Sequence, residues 1–463
     1  MPTLRAAFIW VVISLATQTL GCGFLLPDRI HWTVEPDAFT GCDDAAPTEI
    51  LGVAISGGGS RAAVYAAAGL EALWEHGLLD RISHISSVSG GSIAASYFAT
   101  NRPACDEETA QPEAEACWRE FFSEFKRAMR YDYAWASERR QLLYPNRWMS
   151  PTRRAASFQE VLDRKFLAGQ TFGGLNASGS SGTRESGPRR PVLIINAASY
   201  DEARRFVFSN LCIGNQTDAI RSASFSRPGC STAVPRDLPV SLAVTASAAF
   251  PGLFGPVALE VLPSCDVSYP EWWHLGDGGM IDNLGVDTLE EVVLEAAESG
   301  SRSLSTAAIL SFDADQLLRA APLKRMSNYA LLGRDPNRIV VVTKARGTAN
   351  HDFVWDRAKL DLPDRGVRAD KIALRYMAAE LEIWPPSCRR EARRAAGFTA
   401  SQVESIRDRL EEIPTRLSID DCGADLLEQA AHQVVHASLN GEPGQRLRAL
   451  GFPVREARES ITP

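Results

Sequence analysis

The segment from residue 50 to residue 100 constrains the fold more than any other part of this 463-residue chain. An apolar strand, Ile50–Ile55, leads into a glycine loop and a helix, and a second strand then leads into Ser89 and a second helix. Strands and helices that alternate in this way predict a mostly parallel sheet covered by helices. Because neighbouring parallel strands end at the same edge of a sheet, we expect the glycine loop to lie beside Ser89.

The composition predicts a well-folded chain and argues against one broad class of function. Hydrophobic residues make up 45% of the sequence, and the formal net charge is −8. Nucleic-acid binders usually show a basic footprint. We therefore expect no nucleic-acid partner.

The first 48 residues indicate export. Arg5 precedes the apolar run Ala6–Leu20, which is shorter than the roughly 20 residues that a membrane span needs and is typical of a secretory signal. The run ends just before Cys22 and resembles a bacterial lipoprotein signal, whose cysteine becomes lipidated. We predict a signal peptide over 1–21, a tether over 22–48, and a lipoprotein of the bacterial cell envelope, anchored at the outer membrane or the periplasmic face. Ordinary signal cleavage and an uncleaved anchor are the alternatives.

The cysteine count agrees with export. Of nine cysteines, eight remain if Cys22 carries lipid, and an even number in an exported protein suggests disulfides. Proximity in sequence gives Cys105–Cys117, Cys212–Cys230 and Cys388–Cys422, which leaves Cys42–Cys265, although sequence alone allows many other pairings. Their spacings do not favour a zinc site.

Further patterns predict how the rest of the chain extends the core. Residues 101–165 should be mostly helical, and their many aromatic residues favour a packed subdomain over a lipid-facing cap. Val192–Asn196 should pair with a hairpin partner over Arg205–Ser209. Trp272–Gly276 and Ala307–Phe312 should be further strands.

The C-terminal region lacks a linker that would separate it from the core. From residue 367 the pattern favours helices, including Lys371–Leu381. We therefore predict a catalytic core over 49–300, and strands and helices over 301–463 that complete the same three-layer α/β/α domain.

Ser89 is the candidate nucleophile. A serine on a tight turn from strand to helix needs small residues two positions before and after it, here Ser87 and Gly91. The usual motif is Gly-x-Ser-x-Gly, so Ser87 departs from it at the first position. The partial positive charge at the start of the following helix would favour an oxygen anion at Ser89. A structural turn is the alternative interpretation.

The glycine loop is a candidate anion site. Gly57, Gly58 and Gly59 follow a strand and open a helix, so their N–H groups can converge on an anion such as the oxyanion of acyl transfer. The loop has neither the Gly-Lys-Ser/Thr of a Walker loop nor the third glycine of a dinucleotide loop. Arg61 in the first helical turn would either contact an anionic headgroup or brace the loop.

A carboxylate completes the pattern. Asp277 ends a predicted strand and precedes Gly278 and Gly279, which would let it approach Ser89 closely and act as its general base. Asp282 is its rival, although its position before Val286 favours a loop or helix-cap role.

Together these motifs resemble the patatin-like phospholipase family and the related cytosolic phospholipases, over about residues 50–300. The resemblance lies in four segments: Ser56–Arg61, Ser87–Gly91, Ala246–Pro251 and Asp277–Gly279. It implies a patatin-like α/β/α fold and a lipid acyl hydrolase of the phospholipase A or lysophospholipase type.

The same resemblance implies roles for individual residues. Ser89 would be the nucleophile and Asp277 the base of a dyad without histidine. Gly57, Gly58 and Gly59 would form the oxyanion hole, with Gly58 and Gly59 as donors and Gly57 shaping the loop. Arg61 would lie near the phosphate of a phospholipid or other acyl-lipid substrate, and no metal or cofactor is required.

Two other functions remain open. An esterase of the α/β-hydrolase type would use a late histidine: His351, His432 or His436. His432 and His436 share a helix face, but no acidic metalloprotease pattern accompanies them, so a metal role is disfavoured. A non-catalytic envelope lipoprotein that binds lipid is the third hypothesis.

Overall fold

Eight strands of the described residues form one sheet in the computed structural model of this protein. The structure describes residues 48–103, 105, 111–144, 147, 151–177, 191–210, 237–250, 254–261, 271–298, 304–315, 352–389 and 405–457. The strands are β1 (Glu49–Ile55), β2 (His84–Val88), β3 (Val192–Ser199), β4 (Arg204–Ser209), β5 (Val257–Val261), β6 (Glu271–Asp277), β7 (Thr306–Asp313) and β8 (Arg368–Arg375).

The centre of the sheet is parallel and one end is antiparallel. The strand order is β5-β6-β3-β2-β1-β7-β8, and β4 pairs with β3 outside this path. The neighbours from β3 to β8 along this path run parallel, whereas β4 and β6 run antiparallel to β3, and β5 runs antiparallel to β6. The predicted hairpin and both predicted strands after residue 270 are confirmed.

Helices flank the sheet. They are α1 (Ser60–Glu75), α2 (Gly90–Asn101), α3 (Gln111–Met129), α4 (Tyr133–Leu142), α5 (Pro151–Leu162), α6 (Phe172–Ala177), α7 (Val240–Ser247), α8 (Asp287–Glu298), α9 (Ile406–Glu412), α10 (Asp421–Asn440) and α11 (Glu442–Ala449). Residues 352–361 are also helical, and a π-helical turn over Asp163–Leu167 continues α5.

The two faces of β1 show why the fold has three layers. Successive side chains of a strand point to opposite faces. Leu51 and Val53 belong to the larger apolar core, which contains α1, α2 and α10. Ile50 and Ala54 belong to a second core with α8. The fold is therefore α/β/α, as the sequence predicts.

The aromatic residues of α3 pack inside the protein. Trp118, Phe121, Phe122 and Phe125 are all buried in the larger core. The predicted packed subdomain is confirmed for these residues, while Trp135 in α4 is exposed.

One element differs in type from its prediction. Arg368–Arg375 is the strand β8, whereas the sequence pattern favours a helix from Lys371. Buried and more exposed residues alternate along β8 because only one of its faces covers the core. Asp370 lies on the buried face together with Ile372 and Leu374, so the sequence of this strand shows no plain alternation of apolar and polar residues.

Two predicted cysteine pairs lie at disulfide distance in the structure: Cys105–Cys117 and Cys388–Cys422. The other two pairs, the signal peptide and Cys22 fall outside the described residues. Among the helices of the described ranges, none is both long and apolar enough to cross a bilayer.

Candidate active site

The glycine loop and Ser89 meet at one edge of the sheet, as expected. β1 and β2 are parallel neighbours, and the last residue of β1, Ile55, pairs with Ser87. The loop after β1 and the turn after β2 therefore leave the sheet side by side. A methyl group placed on Gly57 would lie 3.4 Å from the Cβ atom of Ser89.

Ser89 sits on a strained turn. Its φ of 52° is in the left-handed region, which non-glycine residues rarely adopt. α2 begins at the next residue. A Cβ atom on Gly90 would lie only 2.1 Å from the carbonyl oxygen of Gly59, so the nucleophile turn and the glycine loop touch through their backbones.

Asp277 contacts Ser89 directly. The Ser89 hydroxyl donates a hydrogen bond to Oδ2 of Asp277 at 2.7 Å. The other carboxylate oxygen, Oδ1, accepts from the amide of Gly279 at 2.7 Å. Ser89 is 9% exposed and Asp277 is 4% exposed, so water competes little for this contact. Each oxygen of the carboxylate thus has its own partner, which fixes the orientation of the side chain.

The register of β3 explains how these two distant residues meet. The last residue of β2, Val88, pairs with Asn196, and the last residue of β6, Asp277, pairs with Ala197. Both strands therefore end at consecutive residues of β3. Ser89 follows the first strand and Asp277 closes the second.

A polar network beneath Ser89 holds this edge of the sheet. The hydroxyl of Ser247 in α7 accepts from the Ser89 amide at 2.8 Å and donates to the Asn196 carbonyl at 2.6 Å. The Asn196 side chain donates to Ser86 Oγ and accepts from Thr288 Oγ1. Sequence reasoning missed Ser247 and Asn196 as site residues. Ser247 lies in the Ala246–Pro251 segment of the family resemblance, but that resemblance gave its hydroxyl no role, and Asn196 was only the end of a predicted strand.

The three loop glycines have different surroundings. The Gly57 amide donates to the Asn283 carbonyl at 2.8 Å, which holds the loop in shape. Within the described part of the chain, no hydrogen bond takes up the amide N–H of Gly58 or Gly59. These two amides are the ones in this loop that an oxyanion could engage.

Arg61 braces the loop from inside the protein. It is only 1% exposed. Its Nε donates to the Ala314 carbonyl at 2.8 Å and its Nη1 to the Ile413 carbonyl at 2.7 Å. Burial lowers the pKa of the guanidinium, while nearby Asp313 and Asp315 oppose that shift. The assignment of Arg61 to phosphate binding is corrected by this geometry, because the guanidinium is directed at backbone carbonyls in the interior.

Comparison with protein families identifies the class of the chain. A family model, Patatin-like phospholipase, matches residues 53–290, which include Ser89, Asp277 and the glycine loop. This chain belongs to the patatin-like phospholipase family.

Several solved structures are distantly similar to this chain. Human GIVD cytosolic phospholipase A2 is 14% identical, with a TM-score of 0.44, and the match covers 96% of this chain and 63% of that one. VipD from Legionella pneumophila is 12% identical, with a TM-score of 0.29, and the match covers 88% of this chain and 72% of that one. ExoU from Pseudomonas aeruginosa, solved with SpcU, is 15% identical, with a TM-score of 0.22 and coverages of 89% and 76%. No curated protein sequence matches this chain.

Asp282 has the structural role that its position predicts. Its Oδ1 accepts from the amides of Leu284 and Gly285 at 2.9 Å, and its Oδ2 accepts from the amide of Asp287, the first residue of α8. Burial raises the pKa of Asp282 to about 6, and the charge of Asp287 adds to the rise. The carboxylate that touches Ser89 is Asp277.

Tyr200 lies over the strand end that carries Asp277. A Cβ atom on Gly276 would lie 2.1 Å from the Tyr200 hydroxyl, so Gly276 leaves room for this ring. Burial raises the pKa of Tyr200 to about 12, and the nearby charge of Asp277 contributes. Tyr200 therefore stays neutral beside the dyad at ordinary pH.

The histidines of the rival mechanism have other partners. His432 lies 3.1 Å from Glu71, and His436 lies 3.1 Å from Glu75. His351 falls outside the described residues. Of the two histidines on strands β2 and β6, His84 is buried, whereas His274 is partly exposed and faces Asp201.

Proposed function

We propose that this chain hydrolyses acyl esters of phospholipids or lysophospholipids with Ser89 as nucleophile and Asp277 as general base. The observation that carries the proposal is the 2.7 Å hydrogen bond from the Ser89 hydroxyl to the Asp277 carboxylate. A nucleophile and a base within hydrogen-bond reach, the base held by a third group, is the signature of covalent catalysis by an activated hydroxyl. Here the third group is the Gly279 amide.

Acylation begins when Asp277 takes the proton of the Ser89 hydroxyl. The Ser89 oxygen forms a bond to the acyl carbonyl carbon, and the carbonyl electrons move onto oxygen. The Gly58 and Gly59 amides donate to that oxyanion, and the start of α2 adds a partial positive charge. The intermediate then expels the alcohol oxygen of the lipid, which takes the proton from Asp277.

Deacylation repeats these steps with water. Asp277 accepts a proton from water as the water oxygen bonds to the acyl carbon. The second tetrahedral intermediate expels the Ser89 oxygen, which recovers the proton from Asp277. The products are a fatty acid and free enzyme, and proton, atoms and charge balance without a cofactor.

Labelling and lipid hydrolysis test this proposal together. A fluorophosphonate probe should label wild-type protein at Ser89, and mass spectrometry should find fatty acid released from phospholipid or lysophospholipid vesicles. We expect Ser89→Ala and Asp277→Asn each to lower kcat by at least ~10³-fold with the fold intact. Asp282→Asn, which removes a neighbouring carboxylate that does not touch Ser89, should keep most of the activity.

The same experiment separates the rival functions. An α/β-hydrolase-like esterase would lose activity in His432→Ala or His436→Ala and retain it in Asp277→Asn. A lipid-binding protein without activity would give no adduct at Ser89 and no fatty acid. Either result would overturn the dyad.

We also propose that Cys22 anchors the mature chain to a membrane of the bacterial cell envelope. The support is the apolar run that ends just before Cys22. Wild-type protein should fractionate with membranes and carry a lipid on its N-terminal peptide. Cys22→Ser should be released as soluble protein, and recovery of the variant in membranes would contradict the anchor.

A further inference from the structure

A cluster of histidines and carboxylates joins two helices away from the proposed dyad. Glu71, Glu75 and His76 come from the last turns of α1 and its C-terminal boundary, and His432 and His436 come from α10. We propose that Glu75, His432 and His436 bind one divalent transition-metal ion, and zinc is the ion that we expect. The sequence alone disfavours this site because the acidic ligand comes from a helix at the other end of the chain.

The distances suit three ligands of one ion. The donor atoms of the three residues all lie within 4.8 Å of one another. Oε2 of Glu75 is 3.1 Å from His436 Nε2 and 3.4 Å from His432 Nδ1. A tetrahedral ion with bonds of about 2.0–2.1 Å spaces its ligand atoms about 3.3 Å apart. Only small side-chain shifts would therefore be needed to coordinate an ion.

Outer partners orient both imidazoles. The second ring nitrogen of His432, Nε2, lies 3.1 Å from Glu71 Oε2. The second ring nitrogen of His436, Nδ1, lies 2.9 Å from His76 Nε2. Metal-binding histidines almost always donate their other ring N–H to a carboxylate, a carbonyl or water, which fixes the tautomer. Glu71 is such a carboxylate for His432.

A carbonyl sets the tautomer on the His436 side. His76 Nδ1 lies 2.7 Å from the Arg455 carbonyl, which can only accept, so this nitrogen carries a proton. In neutral His76, Nε2 is then an acceptor, and His436 must donate to it from Nδ1. Neutral His436 therefore directs the lone pair of Nε2 at Glu75, which is the orientation a metal ligand needs.

The Glu75 carboxylate is the centre of the cluster. Its side chain is 11% exposed, and Oε2 is buried without a hydrogen bond of good geometry among the described residues. The lone pairs of two imidazoles would face this oxygen when both rings are neutral. A divalent cation satisfies all three donors at once.

The donor set indicates the class of metal. Two imidazole nitrogens and one carboxylate oxygen suit zinc and its neighbours in the first transition row better than calcium or magnesium, which prefer oxygen ligands. Both histidine side chains are 28% exposed, so water can reach a fourth position. The ion would tie the far end of α1, the helix that follows the glycine loop, to α10.

Metal titration of the metal-free protein tests the site. Zn²⁺ competed against a chromophoric chelator should bind with one strong site per chain and raise the thermal unfolding midpoint. Glu71→Gln should weaken binding ~10–100-fold, as loss of an outer partner does, and His436→Ala should weaken it further. His274→Ala is the matched control, because His274 faces a single carboxylate, Asp201, at 3.1 Å.

Two further measurements keep the proposal testable if an alanine variant folds poorly. Glu75→Gln preserves the shape of the side chain and should still lose the strong site, with far-UV circular dichroism as the check on folding. Zinc-edge X-ray absorption of wild-type protein should show imidazole nitrogen and carboxylate oxygen at about 2.0–2.2 Å. Absence of a strong site, equal affinity in His436→Ala, or a sulfur shell would overturn the assignment.

Discussion

The Ser247 hydroxyl accepts a hydrogen bond from the amide of Ser89 at 2.8 Å. The same hydroxyl donates to the Asn196 carbonyl in β3 at 2.6 Å. Ser247 thus links the strained turn of Ser89 to the strand on which β2 and β6 end. The left-handed conformation of Ser89 needs such support, because a residue at positive φ persists only where its surroundings hold it.

Ser247→Ala should therefore impair catalysis without removing a catalytic group. The Ser89 amide would lose its buried acceptor, which costs about 1–3 kcal/mol. We expect kcat to fall about 10–100-fold, since each ~1.4 kcal/mol of lost positioning is tenfold in rate. Ser92→Ala is the control, because Ser92 Oγ touches Ser247 Oγ at 3.0 Å but not the Ser89 amide. Equal rates in the two variants would contradict this role of Ser247.

Ser87→Gly, which restores the usual motif, should lower stability and leave the rate nearly unchanged. The Ser87 hydroxyl donates to the Ile194 carbonyl at 3.1 Å. Loss of this bond and the added freedom of glycine together cost about 1–2 kcal/mol. The crowded position is Gly91, where a Cβ atom would lie 2.5 Å from the Ser56 carbonyl oxygen. Chemical unfolding and steady-state kinetics measure both effects, and a large gain in kcat would show that Ser87 limits the enzyme.

The core of the site could be predicted because its residues follow local rules. Glycines after a strand and a serine before a helix mark positions where the backbone must turn sharply or approach another segment. The parallel strand pattern then places the two segments together. The structure brings Gly57, Ser89 and Asp277 into one site, as the resemblance implies.

What sequence reasoning missed depends on contacts between distant segments. Ser247 and Asn196 each act through hydrogen bonds to residues that are distant in the sequence. The small-residue segment that contains Ser247 does not by itself show which partner its hydroxyl has. From the sequence alone, Arg61 could equally contact a phosphate or brace the loop. The structure decides between these roles because it places the Ala314 and Ile413 carbonyls beside the guanidinium. The strand β8 was predicted as a helix because one of its inward positions holds a charged residue, Asp370, whose partners Lys359 and Arg446 come from other segments.

Gly59→Ala should be far more disruptive than alanine at another glycine of similar conformation. Gly59 has φ of 62°, and a Cβ atom there would lie 2.2 Å from the Arg416 carbonyl oxygen. Gly366 has φ of 78° but nothing within 4 Å of its Cβ position. Gly366→Ala should cost only the strain of a left-handed residue, about 1–2 kcal/mol. We expect Gly59→Ala to lower the free energy of unfolding by more than ~3 kcal/mol, measured by chemical unfolding. Equal losses of unfolding free energy in Gly59→Ala and Gly366→Ala would contradict the close contact between Gly59 and the Arg416 carbonyl.

Glu290 should make stability fall as pH rises. It is 5% exposed, and burial raises its pKa to about 7 from 4.5, although Lys371 lies 2.8 Å away. Lys371 also contacts Asp352 at 2.8 Å, so it shares its charge between two carboxylates. A folded-state pKa above the unfolded value means that the folded protein holds this proton longer. The contribution to stability is full below pH 4.5 and is lost as pH rises toward 7.

Glu290→Gln should remove this part of the pH dependence. Relative to wild type, the variant should become more stable by on the order of 3 kcal/mol as pH rises from 4.5 to above 7. Unfolding free energies of both proteins at several pH values across this window measure the difference. Glu298→Gln on the same helix is an exposed control that should show little change. A constant difference between Glu290→Gln and wild type would contradict the raised pKa.

Arg61→Lys distinguishes a buried brace from a phosphate contact. A lysine ammonium lacks the planar fork that reaches two carbonyls, so at least one of the Ala314 and Ile413 carbonyls would lose its partner. We expect a loss of about 1–3 kcal/mol in unfolding free energy, and an unchanged ratio of kcat/KM between anionic and neutral ester substrates. Arg375→Lys is the matched control, because Arg375 is exposed and lies 3.2 Å from Asp313. This variant should lower the free energy of unfolding only slightly. A selective rise in KM for anionic substrates, with stability unchanged, would instead support the role of Arg61 in phosphate binding. The side chain would then have to leave its buried position on substrate binding, because in this conformation its guanidinium faces the interior.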